Sequence, residues 1–135
     1  ARLERSLAEL KIAKPMADRA LRHVLGEVVR RNRVRNGLVY LQVTRGQATR
    51  DFLFPGSEAN PTLVVLARAI DPAKVAAKAQ HGIAVKSIAD ARWGRCDLKT
   101  VMLLPAALAK EAAREAGAQE AWFVDEAGFV TEGAS

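Results

Sequence analysis

The sequence predicts an α+β fold, and three observations carry that prediction. Ala17, Ala20, Leu21, Val24, Leu25 and Val28 recur at helical spacing and form one apolar stripe. Two β-prone runs follow: Leu38 to Arg45, rich in Leu, Val, Tyr and Thr, and Thr62 to Ala69, continuously apolar and flanked by prolines. Near the end, Ala121 to Val124 and Phe129 to Glu132 enclose Asp125-Glu126-Ala127-Gly128, the pattern of a hairpin with its turn.

Each element has its own local reason. Ala1 to Ala13 reads as a helix on the spacing of Leu3, Leu7, Leu10 and Ile12, and it lacks an N-terminal cap, so the chain is expected to begin inside an element. Pro15 suits the first turn of the next helix, where a missing N–H costs nothing. His23 borders the apolar stripe with no metal-ligand partner at useful spacing and is expected at the surface. Asn36-Gly37 is expected to turn, since both residues tolerate positive φ. In the strand that follows, Leu38, Tyr40, Gln42 and Thr44 share one face, and Val39, Leu41, Val43 and Arg45 the other. Gly46 to Pro55 is loop and Gly56 to Pro61 polar connection; Thr62 to Ala69 is expected as a buried strand. Asp71-Pro72 opens a short helical segment reaching about Gln80, and Gly82 to Ile88 is a further strand. Leu104-Pro105 starts a helix to Ala116 that Gly117 stops in the left-handed conformation, with Glu111 able to pair with Arg114.

A chain of 135 residues, half apolar and 27% charged, can build a real core and has the profile of a soluble globular protein. No apolar run approaches a membrane span, and Ala1-Arg2-Leu3-Glu4-Arg5 is too charged for a targeting core. A single cysteine excludes an internal disulfide and fits a reducing cytoplasm. The net charge of +6 and the cluster Arg30, Arg31, Arg33 and Arg35 raise the possibility of a basic nucleic-acid-binding module. No aromatic residues interleave with that cluster, and cations also suit a helix C-terminus, so a solvated helix end is the preferred reading.

The chemistry centres on Arg92-Trp93-Gly94-Arg95-Cys96-Asp97-Leu98-Lys99-Thr100-Val101-Met102-Leu103-Leu104. Lys99 stands among apolar neighbours, and burying an ammonium there favours the neutral amine that a Schiff-base nucleophile requires. The plain alternative is a lysine that snorkels its charged head to water. The words around it, Arg92-Trp93, Cys96-Asp97-Leu98-Lys99-Thr100, Leu103-Leu104-Pro105 and Ala109-Lys110, resemble the lysine segment of fold-type IV pyridoxal-phosphate aminotransferases, in particular their D-amino-acid branch. Val130-Thr131-Glu132-Gly133-Ala134-Ser135 resembles that family's Thr-Glu-Gly-Ser-Ser signature, and Leu41-Gln42-Val43-Thr44-Arg45-Gly46 its strand motif.

The resemblance implies a fold, a reaction and a set of roles. It implies two α/β domains present in part: residues 1–70 from the smaller N-terminal domain, 71–81 a linker, and 82–135 the start of the larger cofactor-binding domain. It implies transfer of an amino group from a D-amino acid or related amine to an α-keto acid, by a homodimer; a branched-chain L-amino-acid aminotransferase or an aminodeoxychorismate lyase would share the fold. Lys99 would carry pyridoxal 5'-phosphate as a Schiff base and Glu132 would face its ring nitrogen. Arg2 and Ser135 would hold the phosphate, although Ala134 replaces one serine of the signature. Tyr40 would lie near the substrate, or simply pack in its strand. Arg50 matches the arginine of an Arg-x-His pair that clamps the substrate carboxylate across a dimer interface, but Phe52 stands where the histidine would be. Without the resemblance, Arg2, Arg50 and Glu132 would read as exposed charges on a helix, a loop and a strand end. Arg92 is expected near the active-site wall, without a catalytic role.

Overall fold

The computed structural model describes residues 2–56 and 59–135, which form two compact units, Ala1–Val75 and Ala76–Ser135. The first contains α1 (Arg2–Glu9), α2 (Asp18–Arg31), β1 (Gly37–Thr44) and β2 (Thr62–Ala69). α3 (Pro72–His81) runs across the division, and the second unit adds β3 (Val85–Ala89), α4 (Leu104–Glu115), β4 (Glu120–Val124) and β5 (Val130–Gly133).

In the first unit, α1 stops short of the expected Ala13. Lys11 takes φ 51°, and the N–H groups of Lys11 and Ile12 bond back to the Ala8 and Leu7 carbonyls, a Schellman closure. The Arg45 guanidinium then donates to the Lys11 and Leu10 carbonyls, so a residue at the end of β1 holds the end of α1. α2 closes the same way: Arg33, at φ 53°, and Val34 bond to Arg30 and Val29. The positive φ expected at Asn36-Gly37 is therefore at Arg33, and Gly37 is the first residue of β1. A Cβ on Gly37 would lie 2.2 Å from the Arg68 carbonyl oxygen, so glycine serves a close strand approach there.

β1 and β2 pair antiparallel, with Tyr40 opposite Leu66 and Gln42 opposite Val64, and α2 packs against β2. β2 is not the buried strand expected from its apolar run. Leu63, Val65 and Ala67 are half-buried, whereas Val64 and Leu66 are exposed, because a two-stranded sheet with a helix on one side leaves its other face open within the unit. At the end of α2, Glu27 accepts hydrogen bonds from Arg30 and Arg31, and these hold its carboxyl down at about 2. Two of the four clustered arginines are thus engaged within their own helix; Arg31, Arg33 and Arg35 are exposed, as is His23.

The second unit is a three-stranded sheet in the order β3-β4-β5. β3 and β4 are parallel and joined through α4, the crossover that parallel strands require; β4 and β5 form the expected hairpin. β3 begins later than expected, at Val85, because Gly82 closes α3 and Ala84 is held by Gln119. Ala109 and Ala113 of α4 meet Ala121 and Phe123 of β4, so small side chains let the helix lie close to the sheet around one large buried ring. Gly117, at φ 73°, ends α4 as expected, and its neighbour Ala118 bonds back to the Ala113 carbonyl. In the hairpin turn the Asp125 carboxylate accepts the N–H groups of Ala127 and Phe129.

Candidate active site

The parallel pair β3 and β4 directs the carboxyl ends of both strands to one edge, the usual ligand-binding edge of such sheets. Asp90 extends β3 by one more bond, its N–H to the Val124 carbonyl at 2.9 Å. Its carboxylate receives the Arg92 backbone N–H at 3.1 Å, Arg92 Nε at 2.9 Å, Arg92 Nη2 at 2.7 Å and the Thr131 hydroxyl at 2.6 Å. The Arg92 guanidinium also donates through Nη2 to Thr131 Oγ1 and through Nη1 to Glu132 Oε2, and it lies 4.7 Å from the centroid of the Phe123 ring. The Asp90 and Arg92 side chains are 16% and 15% exposed, while Glu132 is 53% exposed. Hydrogen bonds from Arg92 hold the Asp90 carboxyl well below the usual carboxylate range, and the Asp90 bond raises Arg92 further above its already high value.

Lys99 lies in the loop that leaves this edge, between β3 and α4. Leu98 beside it is buried and its N–H bonds to the Arg95 carbonyl. The apolar enclosure expected around Lys99 is absent from this unit: Lys99 is exposed, and so are Val101, Met102, Leu103 and Leu104. Within the stretch Leu98 is buried and Thr100 half-buried. Among the described residues no hydrogen bond engages the Lys99 ammonium. By contrast, Lys86 donates to the Ala112 carbonyl at 3.5 Å, and Lys110 to the Gln119 carbonyl at 2.7 Å.

Ser135 is placed near the opposite end of β4. Its hydroxyl donates to Glu120 Oε2, and Glu120 Oε1 also meets Lys110 at 3.4 Å. Burial pushes the Glu120 carboxyl up, but Ser135, the Ala121 N–H and Lys110 together bring it below its usual value. A phosphate bound at Ser135 would have to take that carboxylate's place.

The remaining sequence-predicted residues belong to the first unit. Arg2 is exposed in the first turn of α1. Tyr40 stands on the open face of the β1–β2 sheet and donates its hydroxyl to Gln42 Oε1 at 2.8 Å, so it is half-exposed rather than packed. Arg50 lies 5.8 Å from the ring of Phe52, which is 93% exposed in its loop. Arg45 stacks 3.5 Å from the Phe54 ring, and a cleft lined by Lys11, Ile12, Arg45 and Pro55 beside it contains none of the predicted site residues. Among the described residues, no cluster of His, Cys, Asp or Glu is placed to hold a metal ion, and no helix is long and apolar enough to cross a membrane.

Glu132 and Arg92 stand out in the sequence, whereas Asp90 and Thr131 do not. A polar residue directly after a strand whose partner is parallel was the available signal for Asp90. Thr131 sits beside Glu132 within the recognised signature, where its own role was hidden.

Residues 1–135 match the family model described as amino-transferase class IV. The D-alanine aminotransferase of Bacillus licheniformis is 38% identical over 135 residues, which are 100% of this chain and 46% of that protein. Among solved structures, a putative 4-amino-4-deoxychorismate lyase from Legionella pneumophila superposes with a TM-score of 0.81 at 22% identity, covering 98% of this chain and 48% of that one. The branched-chain amino acid aminotransferase of T.th., complexed with N-(5'-phosphopyridoxyl)-L-glutamate, gives 0.76 at 27% identity, covering 99% and 44%. The chain thus spans about half the length of the proteins it matches.

Proposed function

This chain belongs to the class IV amino-transferase family, whose members use pyridoxal phosphate, and from that membership we propose that the whole protein is a transaminase moving an amino group from a D-amino acid or a related amine to an α-keto acid. The similarity to a D-alanine aminotransferase over the full chain is the observation that carries the substrate class. Residues 1–70 belong to its smaller domain and 82–135 open its larger one, with 71–81 between them.

The side chains present suit the cofactor: an amine free of hydrogen bonds among the described residues, a half-exposed carboxylate with one oxygen held, and exposed guanidinium groups. When bound, pyridoxal phosphate would supply an electrophilic aldehyde and a ring that accepts electrons from the carbon losing its proton. Lys99 would hold the group through Nζ and move the proton at the substrate's Cα. Glu132 would face the ring nitrogen and favour its protonated form. Arg2, with its guanidinium fork, would be the first unit's candidate for the phosphate, and Ser135 the second unit's once its hydroxyl leaves Glu120. Arg50 would bind the substrate carboxylate, and Tyr40 would line the substrate side. In a homodimer, a second subunit would cover the exposed apolar loop Phe52, Leu53 and Phe54.

A second reading, activity on amines without a carboxylate, rests on Phe52, which cannot supply the hydrogen bond of a histidine. The nucleic-acid reading is weakened because Glu27 already engages Arg30 and Arg31. The decisive experiment is borohydride reduction of the whole holoprotein followed by peptide mapping. The label is expected on Lys99; a label on Lys86 or Lys110 would refute the assignment.

A further inference from the structure

Arg92 is fixed before it reaches Glu132. Asp90 takes its backbone N–H, Nε and Nη2, Thr131 takes Nη2 as well, and the face of Phe123 supports the guanidinium plane. What is left is Nη1, and it goes to Glu132 Oε2. Among the described residues no other side chain bonds Glu132: it lies on the last strand of the sheet, its side chain is half-exposed, and a glutamate without that bond would sample several rotamers. With Nη1 on Oε2, Oε1 is the oxygen of this carboxylate that no hydrogen bond among the described residues occupies.

We propose that Arg92 is a positioning residue that orients the Glu132 carboxylate and presents Oε1 to the ring nitrogen of the cofactor, with Asp90 and Thr131 holding Arg92 in place. The proposal rests on the assignment of Glu132 made above. It requires arginine rather than any cation: a lysine can meet Asp90 or Glu132 as a point charge, but it cannot bridge both with separate nitrogens.

The test uses the whole holoprotein and the variants Arg92→Lys, Glu132→Gln and their combination. Arg92→Lys is expected to retain the cofactor, slow the proton-transfer half-reaction by about tenfold, the scale of one charged hydrogen bond at a partly exposed site, and add nothing further in the Glu132→Gln background. The nitrogen NMR shift of cofactor labelled at the ring nitrogen should move in Arg92→Lys toward its value in Glu132→Gln, which a purely structural role would not produce. Thr131→Val, which removes one of the arginine's anchors without changing charge, should move the same signal in the same direction and serves if Arg92→Lys fails to fold. An unmoved ring-nitrogen signal in the folded variants, or equal slowing by Arg92→Lys with and without Glu132, overturns the proposal alone. If Glu132→Gln itself leaves both the signal and the half-reaction unchanged, the assignment of Glu132 falls and the proposal falls with it.

Discussion

Asp90→Asn should destabilise the protein at neutral pH, and the size of the effect follows from the geometry. The carboxylate accepts four hydrogen bonds at 2.6 to 3.1 Å, three of them from Arg92, with both side chains about 15% exposed. Asparagine can keep the two bonds to Oδ1, but its amide nitrogen would face Arg92 Nη2, donor against donor. Losing one charged hydrogen bond costs about 1.5–3 kcal/mol, and stranding a fully buried partner costs about 3–5 kcal/mol. Residual exposure places this site near the lower range, at about 2–3 kcal/mol. Urea unfolding of the whole protein, monitored through its tryptophans, measures the difference. The pH dependence supplies a second check. The folded-state value for Asp90 is depressed, so its stabilisation is fully present above the unfolded value of about 3.9 and disappears as pH falls through the folded value. The gap between wild type and Asp90→Asn should therefore stay constant from pH 8 to about 5 and close only below about 4. Equal midpoints at pH 7, or a gap that closes between pH 8 and 5, would refute the reasoning.

Other expected outcomes follow from single sites. Lys99→Ala should abolish the visible absorption of bound cofactor and essentially all transamination, while Lys86→Ala and Lys110→Ala keep both; a spectrum and a coupled assay decide this. Gly46→Ala should cost more than about 1 kcal/mol in urea unfolding, because Gly46 has φ 100° and a Cβ there would lie 1.9 Å from the Asn60 carbonyl oxygen. Phe52→His should raise the ratio of activity on D-alanine to activity on a simple chiral amine, since it restores a donor for the carboxylate; an unchanged ratio would mean that residue 52 does not face the substrate.

Much of this arrangement could be read from local sequence, and the failures share a physical cause. The stripe of α2, the Gly117 cap and the Asp125 turn depend on residues a few positions apart, and the sequence carries them openly. The end of α1 could not be read that way. It depends on Arg45, from another element, taking the Leu10 and Lys11 carbonyls, and on a lysine accepting a left-handed conformation that glycine usually fills. The run Thr62 to Ala69 shows the limit of hydropathy, because an apolar side chain is buried only if something covers it, and Val64 and Leu66 are left uncovered. Lys99 is legible by its motif and not by its environment, because the apolar residues 101–104 are exposed and form no enclosure around it within the unit. Asp90 and Thr131 are not legible locally, because their meaning lies in a contact with Arg92 that joins β3's carboxyl end to β5, forty residues along the chain.

That contact ties stability to the site. The loop bearing Lys99 is anchored at its start by Asp90 and Arg92 and later by Leu98; the hairpin bearing Glu132 is anchored to the same Asp90 through Thr131. One ion pair therefore sets the position of two elements, each carrying a residue of the proposed chemistry. An arrangement of this kind places different demands on different substitutions. Removing the charge of Asp90 strands Arg92 and should first show as lost stability. Replacing Arg92 by lysine keeps opposite charges at Asp90 yet releases Glu132, so the fold should suffer less than the carboxylate's aim. Stability and ring-nitrogen environment should thus separate between the two variants, which they could not do if the pair were only a brace for the sheet.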